Sequence, residues 1–155
     1  MCGEKIMDNV RILVIDDEED IRETLKAILE NEGYIVDMAK NGEEAIEKAH
    51  RFYFNLALID IRLPDIDGTE LLTAMRESTP KMVKIIVTGY PVLENAVDAV
   101  NKGADGYIIK PFVAKDLLNS IKEHLQKQKK EMKFDINRIE KFIESRAREI
   151  NSQTL

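Results

Sequence analysis

The chain has 155 residues, 44% of them hydrophobic, and a formal net charge of −6, which suits one domain with a short appendage and leaves no length for a second catalytic or DNA-binding domain. The acidic balance argues against direct nucleic-acid binding, because phosphate backbones demand a clustered positive surface. Cys2 is the only cysteine, His50 and His124 stand apart, and no apolar run approaches the ~18 residues of a membrane span, so disulfides, thiolate or histidine metal sites and membrane insertion are excluded and the cytoplasm is the expected location.

From the amino terminus, Arg11 to Ile15 is a short aliphatic run that reads as a strand, followed by Ile21 to Asn31, whose apolar residues recur every three or four positions as in a helix. The alternation continues with Ile35 to Ala39, Glu43 to Arg51, Leu56 to Ile59, Thr69 to Glu77, Lys84 to Thr88, Leu93 to Lys102 and Gly106 to Ile109, before a fifth helix begins near Val113. Asn41 with Glu44 and Asp67 with Glu70 fit helix-start capping pairs, and Gly33 and Gly103 fall where helices should end. Strict alternation implies right-handed crossovers and a parallel sheet between helix layers. The predicted fold class is α/β, a doubly wound five-stranded parallel sheet in the flavodoxin-like order 2-1-3-4-5, with a C-terminal helical extension. Folds of this kind bind ligands at the carboxyl ends of their strands.

The polar residues fall at those ends. Asp16 and Asp17 close the first strand, Asp60 the third, Thr88 the fourth and Lys110 the fifth. In the predicted order these strands are neighbours, so three carboxylates, a hydroxyl and an ammonium meet on one edge. Carboxylates packed together resist ionisation unless positive charge is supplied. Lys110 supplies some, and a hard divalent cation, Mg²⁺ or Mn²⁺ in its place, suits the remaining oxygen ligands. A carboxylate in such a site can attack phosphorus and become an aspartyl phosphate, with Asp60 the central candidate, Lys110 and the metal stabilising the phosphoryl oxygens and Thr88 donating a hydrogen bond.

The segments Val14-Ile-Asp-Asp-Glu18, Leu58-Ile-Asp60 with Leu63-Pro-Asp65 and Asp67-Gly68, Thr88-Gly89 and Lys110-Pro-Phe112 resemble the signature segments of response-regulator receiver domains. The resemblance covers about Val10 to Gln126. It implies that Asp60 is the phosphoacceptor, that Asp16 and Asp17 hold Mg²⁺ with the main-chain carbonyl of Arg62, that Lys110 pairs with the phosphoryl group, and that Thr88 moves inward followed by Tyr107, the aromatic switch residue. The partners implied are a histidine kinase or a histidine phosphotransfer protein. The readout surface implied is the fourth helix, fifth strand and fifth helix. Gly89 stands where many members have alanine, and Arg62 occupies a variable position near the site mouth. The resemblance also implies a module that catalyses its own phosphorylation and dephosphorylation and is not an enzyme in the usual sense.

Asp65-Ile-Asp67-Gly68-Thr69 also reproduces the nucleophile loop of haloacid-dehalogenase-like phosphatases, but there the first aspartate directly follows a strand, whereas here Arg62-Leu63-Pro64 intervenes. The expected domain division is a receiver over residues 8–126 and a helical extension or linker over 127–155. Within the extension Ile136, Ile139, Ile143, Ala147 and Ile150 recur at coiled-coil spacing for two heptads. From Gln126 to Ile150 eight Lys/Arg face five Asp/Glu, so the tail is mildly basic and the body acidic. The expectations for it are a homodimer through this helix or through the fourth-helix, fifth-strand and fifth-helix face, docking on the receiver, or a free linker. The whole chain is expected to act as a phosphorelay intermediate or partner-binding switch, or as the amino-terminal receiver of a longer transcription regulator.

Overall fold

A computed structural model describes residues 9–75, 81–89 and 93–153. Five strands alternate with five helices: β1 (Arg11–Ile15), α1 (Glu19–Asn31), β2 (Ile35–Ala39), α2 (Gly42–Arg51), β3 (Leu56–Ile59), α3 (Gly68–Ala74), β4 (Val83–Thr88), α4 (Leu93–Asn101), β5 (Gly106–Ile109) and α5 (Ala114–Gln153). The strands form one parallel sheet in the order β2-β1-β3-β4-β5, as the alternation predicts. The expected end of the third helix at Glu77 lies outside the described residues.

β1, β3 and β4 are central and buried on both faces, which is why they are almost purely aliphatic. On one face Leu13, Ile15, Ala57, Ile59 and Ile86 pack with Ala45 of α2, Leu71 and Leu72 of α3 and Ala99 of α4. On the other, Ile12, Val14, Leu58 and Ile85 meet Leu25 and Leu29 of α1 and Leu117 and Ile121 of α5. Consecutive residues of a strand thus feed opposite layers.

Boundary chemistry agrees with the sequence in part. Asn41 accepts a hydrogen bond from the Glu44 amide at 2.8 Å, while the Glu44 carboxylate lies 3.5 Å from Lys48, one turn on. At α3 the Asp67 carboxylate takes the amide and hydroxyl of Thr69, at 3.0 and 2.9 Å, in place of the expected amide of Glu70. The Thr69 hydroxyl decides the difference by offering a second donor to the same oxygen. Gly33 and Gly103 adopt φ of 93° and 109°, the left-handed helix ending that glycine accepts without a Cβ clash.

α5 is one uninterrupted helix that crosses the expected boundary at 126/127. Gln128 fastens it to the amino-terminal end of the sheet by donating to the carbonyls of Asn55 and Lys81, each at 2.9 Å. Beyond it, residues 129–152 are exposed, a rod of roughly 36 Å at 1.5 Å per residue. Among the described residues, no helix is long and apolar enough to cross a membrane.

Gln128→Leu strips both carbonyls of their donor while keeping the side chain's bulk. Its expected cost is about 1–3 kcal/mol, read as a lower urea midpoint with an unchanged slope.

Candidate functional site

Each candidate residue sits where a strand stops. Asp16 follows β1, and its amide donates to the Ala39 carbonyl at 3.1 Å; Asp60 follows β3, and its amide donates to the Ile15 carbonyl at 2.9 Å. Lys110 follows β5, with its amide on the Thr88 carbonyl at 2.8 Å. The sheet ladder therefore continues one residue past each strand and aligns the three side chains on one edge. The Lys110 ammonium lies 2.8 Å from Asp16 Oδ2 and 3.5 Å from Asp60 Oδ2. Asp16 and Asp60 are buried, and Thr88 is fully so.

The carboxylates of Asp16, Asp17 and Glu18 lie within 4.8 Å of one another. Asp17 and Glu18 are exposed and Asp16 is buried, so the cluster opens from the sheet edge toward solvent. Asp60 is outside this group of mutually close carboxylates and joins it through Lys110. A set of hard oxygen donors suits Mg²⁺ or Mn²⁺. Glu18 is a member that sequence reasoning missed. Its own amide donates to Asp16 Oδ1 at 2.9 Å, a bond between residues two apart that turns the chain at the strand end, and its place in the acidic run after Ile15 was the available signal.

The loop after Asp60 is held by backbone. The Arg62 amide reaches Asp60 Oδ1 at 3.3 Å, and the Gly68 amide donates to the Ile61 carbonyl at 2.7 Å. A Cβ on Gly68 would stand 2.3 Å from the Asp60 carbonyl oxygen and 2.7 Å from the Ile61 Cα. Only glycine lets α3 begin this close to the Asp60 peptide, a requirement that the sequence shows merely as a glycine after a cap. Asp65 accepts the amides of Gly42 and Glu43 at 2.8 and 2.9 Å, which holds its carboxyl below the ordinary range. That aspartate ties the loop to the start of α2 and is carried by no strand, so the phosphatase-loop pattern is here a structural brace.

Thr88 and Tyr107 share a sheet face. Ile86 pairs with Tyr107 and Thr88 with Ile109, which sets the ring diagonally across from the threonine. Tyr107 packs against the core with its hydroxyl buried and lacking a hydrogen-bond partner, and burial pushes its pKa up. Arg62 is exposed at the mouth of the site.

Burial raises the Asp60 pKa, the Asp16 charge raises it further, and Lys110 only partly offsets the two. Burial opposes the charge on Lys110, but the hydrogen bond to Asp16 and the charges of Asp16 and Asp60 together raise its pKa. The pocket holds negative charge that its one lysine does not fully balance.

A family model described as the response regulator receiver domain matches residues 12–122. The chain belongs to the response regulator receiver domain family. The receiver is 35% identical over 127 residues to the transcriptional regulatory protein ResD of Bacillus subtilis, covering 82% of this chain and 52% of ResD. It thus spans about half the length of that curated relative. Its fold is similar to the CheY-like receiver of Methanospirillum hungatei JF-1, at 51% identity and a TM-score of 0.77, covering 79% of this chain and 98% of the other. It is also similar to TrrA of Thermotoga maritima, solved in complex with Mg²⁺ and BeF, at 37% identity and a TM-score of 0.67, covering 74% and 97%. Receiver domains are two-component signalling modules rather than conventional enzymes, generally bind Mg²⁺, and imply histidine kinase partners.

Two outcomes are expected from the site's construction. Gly68→Ala should cost roughly 1–3 kcal/mol in chemical denaturation, because backbone must shift to admit the methyl group. Asp60 ionises above the ordinary carboxylate value of 3.8 in the folded chain, so its contribution to stability is fully present below that value and is lost as pH rises through the folded one. Asp60→Asn should then raise the melting midpoint in EDTA at pH 7 by roughly 2–5 °C, with the gain shrinking toward pH 4 in a melt series.

Proposed function

We propose that the chain is a phosphoacceptor receiver in which Asp60 takes a phosphoryl group from a histidine kinase or histidine phosphotransfer protein and relays it as a change of shape. The observation that carries this reading is the Lys110 ammonium reaching both Asp16 and Asp60 at the strand ends. A carboxylate oxygen of Asp60 forms the new bond to phosphorus as the phosphorus–nitrogen bond to the donor histidine breaks, and the imidazole leaves with a proton. Lys110 neutralises the phosphoryl oxygens, and the Thr88 hydroxyl donates to one of them. Asp16, Asp17 and Asp60, with the main-chain carbonyl of Arg62, would hold Mg²⁺, or Mn²⁺ in its place. Such an ion, when bound, supplies the positive charge that the acids and the incoming phosphoryl group require.

The readout begins with Thr88. Drawn toward the phosphoryl group, it vacates volume diagonally beside Tyr107, and the ring follows. A buried hydroxyl without a partner costs about 1–3 kcal/mol, which makes the present position of Tyr107 shallow and a second position accessible. The ring lies on β5, on the face of the sheet that α4 covers, so its movement changes the surface of α4 and β5. The receiver body would occupy residues 8–126, with the helical extension over 127–155 carrying the signal outward, in the cytoplasm.

A second reading makes this chain the amino-terminal receiver of a longer transcription regulator, with α5 as the signalling linker. The match to about half of ResD, a transcriptional regulator, favours it.

Incubation with Mg²⁺ and acetyl phosphate should give a phosphate-sized mass adduct in the wild type and none in Asp60→Asn. Lys110→Ala should slow adduct formation roughly 100-fold while leaving Mg²⁺ binding measurable by titration. Equal labelling of wild type and Asp60→Asn would remove Asp60 from the role.

A further inference from the structure

The face of α5 that docks on the sheet does not end where the sheet does. Leu117, Ile121 and Leu125 pack on the receiver, and Met132, Ile136, Ile139, Ile143 and Ile150 prolong the same side of the helix beyond Gln128. From Met132 to Ile143 the steps are four, three and four residues, the seam spacing of paired helices. Ile136, Ile139 and Ile143 are 53%, 59% and 60% exposed. A stripe of isoleucine on a rod that has already left its own domain is a contact surface by chemistry.

The charges beside the stripe choose its occupant. Lys133 and Glu140 flank it on one side. Helix neighbours three and four positions away are the ones able to pair with them. For Lys133 these are Lys129, Lys130, Ile136 and Asn137, and for Glu140 they are Ile136, Asn137, Ile143 and Glu144. Each charge therefore meets like charge or none along its own helix, and each calls for the opposite sign from outside. A second copy supplies both, provided the helices run in opposite directions. With Ile136 of one helix against Ile139 of the other, Met132 falls against Ile143, and the seam is entirely apolar over these four layers. In that register Lys133 lies within one turn of Glu140 of the second copy, and the symmetry repeats the pair. The parallel arrangement instead sets Asp135 beside Glu140 and stacks Arg146 on Arg146, so like charges meet. Arg146 and Lys129 approach in the antiparallel pair only at its two ends, where long side chains reach water.

We propose that residues 129–150 of α5 form an antiparallel helix pair with a second copy of this chain, placing the two receivers at opposite ends of the pair. Ile150 of the second copy then meets Leu125, at a groove walled by Val10, Tyr34, Leu125 and Met132. The pair's far end is thereby set against the receiver body near the start of β1. This surface is distinct from the phosphoacceptor edge, and the proposal does not depend on phosphotransfer.

Light scattering and sedimentation of the full chain test it. The wild type is expected to be a dimer at about 100 μM, and Asp60→Asn an equal one, so that loss of phosphorylation and loss of pairing are separable. Ile139→Asp should raise the dissociation constant at least about 100-fold with an unchanged far-ultraviolet circular dichroism spectrum of the receiver body. Lys133→Glu should weaken the dimer, and Lys133→Glu with Glu140→Lys should restore it. A spin label at Ser152→Cys in a Cys2→Ser background should report a separation of roughly 40–45 Å, the axial offset of antiparallel helices at 1.5 Å per residue. A wild-type monomer, a dimer indifferent to Ile139→Asp, failure of the double charge exchange to restore pairing, or a label separation under about 20 Å would each overturn the proposal.

Discussion

Lys110 holds two buried acids that share no sequence neighbourhood with it, at 2.8 Å for Asp16 and 3.5 Å for Asp60. Without it, two buried carboxylates would stand together with no cation beside them, and the Asp16 charge would act on Asp60 unopposed. With it, the residues that follow β1, β3 and β5 are drawn together, and the lysine only partly offsets the burial and the Asp16 charge that act on Asp60. The rest of the molecule serves this contact. The central strands are aliphatic on both faces because they must be covered on both faces, and the rigidity that follows keeps three backbone segments in register at the rim.

Rigidity at the rim is matched by looser fit behind it. Gly68 allows α3 to start against the Asp60 peptide, so the loop has no spare room. Two strands further on, Tyr107 keeps a buried hydroxyl without a partner. The first arrangement fixes the start of α3 against the Asp60 peptide, and the second leaves a buried polar atom unsatisfied.

α5 is where the body and the outside meet. Its inner turns complete the apolar layer that covers Ile12, Val14 and Leu58, and Gln128 closes the sheet's opposite end with two carbonyls. The outer turns carry the same apolar side into water. The continuity is physical, since a helix under no break keeps its face, and a stripe that begins as core emerges as surface.

Much of this was legible in the residues. Short aliphatic runs alternating with helical periods announced five strands and five helices, because a parallel strand covered on both sides has no polar position to offer and a surface helix has many. The positions of Asp16, Asp60, Thr88 and Lys110 at strand ends announced the rim. What the residues left open was set partly by local turn geometry and partly by contacts between distant segments. Glu18 was in plain view in the acidic run, and the turn that its amide makes with Asp16 gathers the three carboxylates. Asp65 proved to be a brace because Gly42 and Glu43, more than twenty positions earlier, presented free amides to it. The Thr69 hydroxyl redirected the Asp67 cap, and the clash that forbids a side chain at Gly68 exists only after α3 is docked. Periodicity and residue type are properties of neighbours along the chain and can be read from it. Distances between chain-remote atoms, the burial that raises the Asp60 pKa and the acids that raise that of Lys110 arise only when the sheet closes.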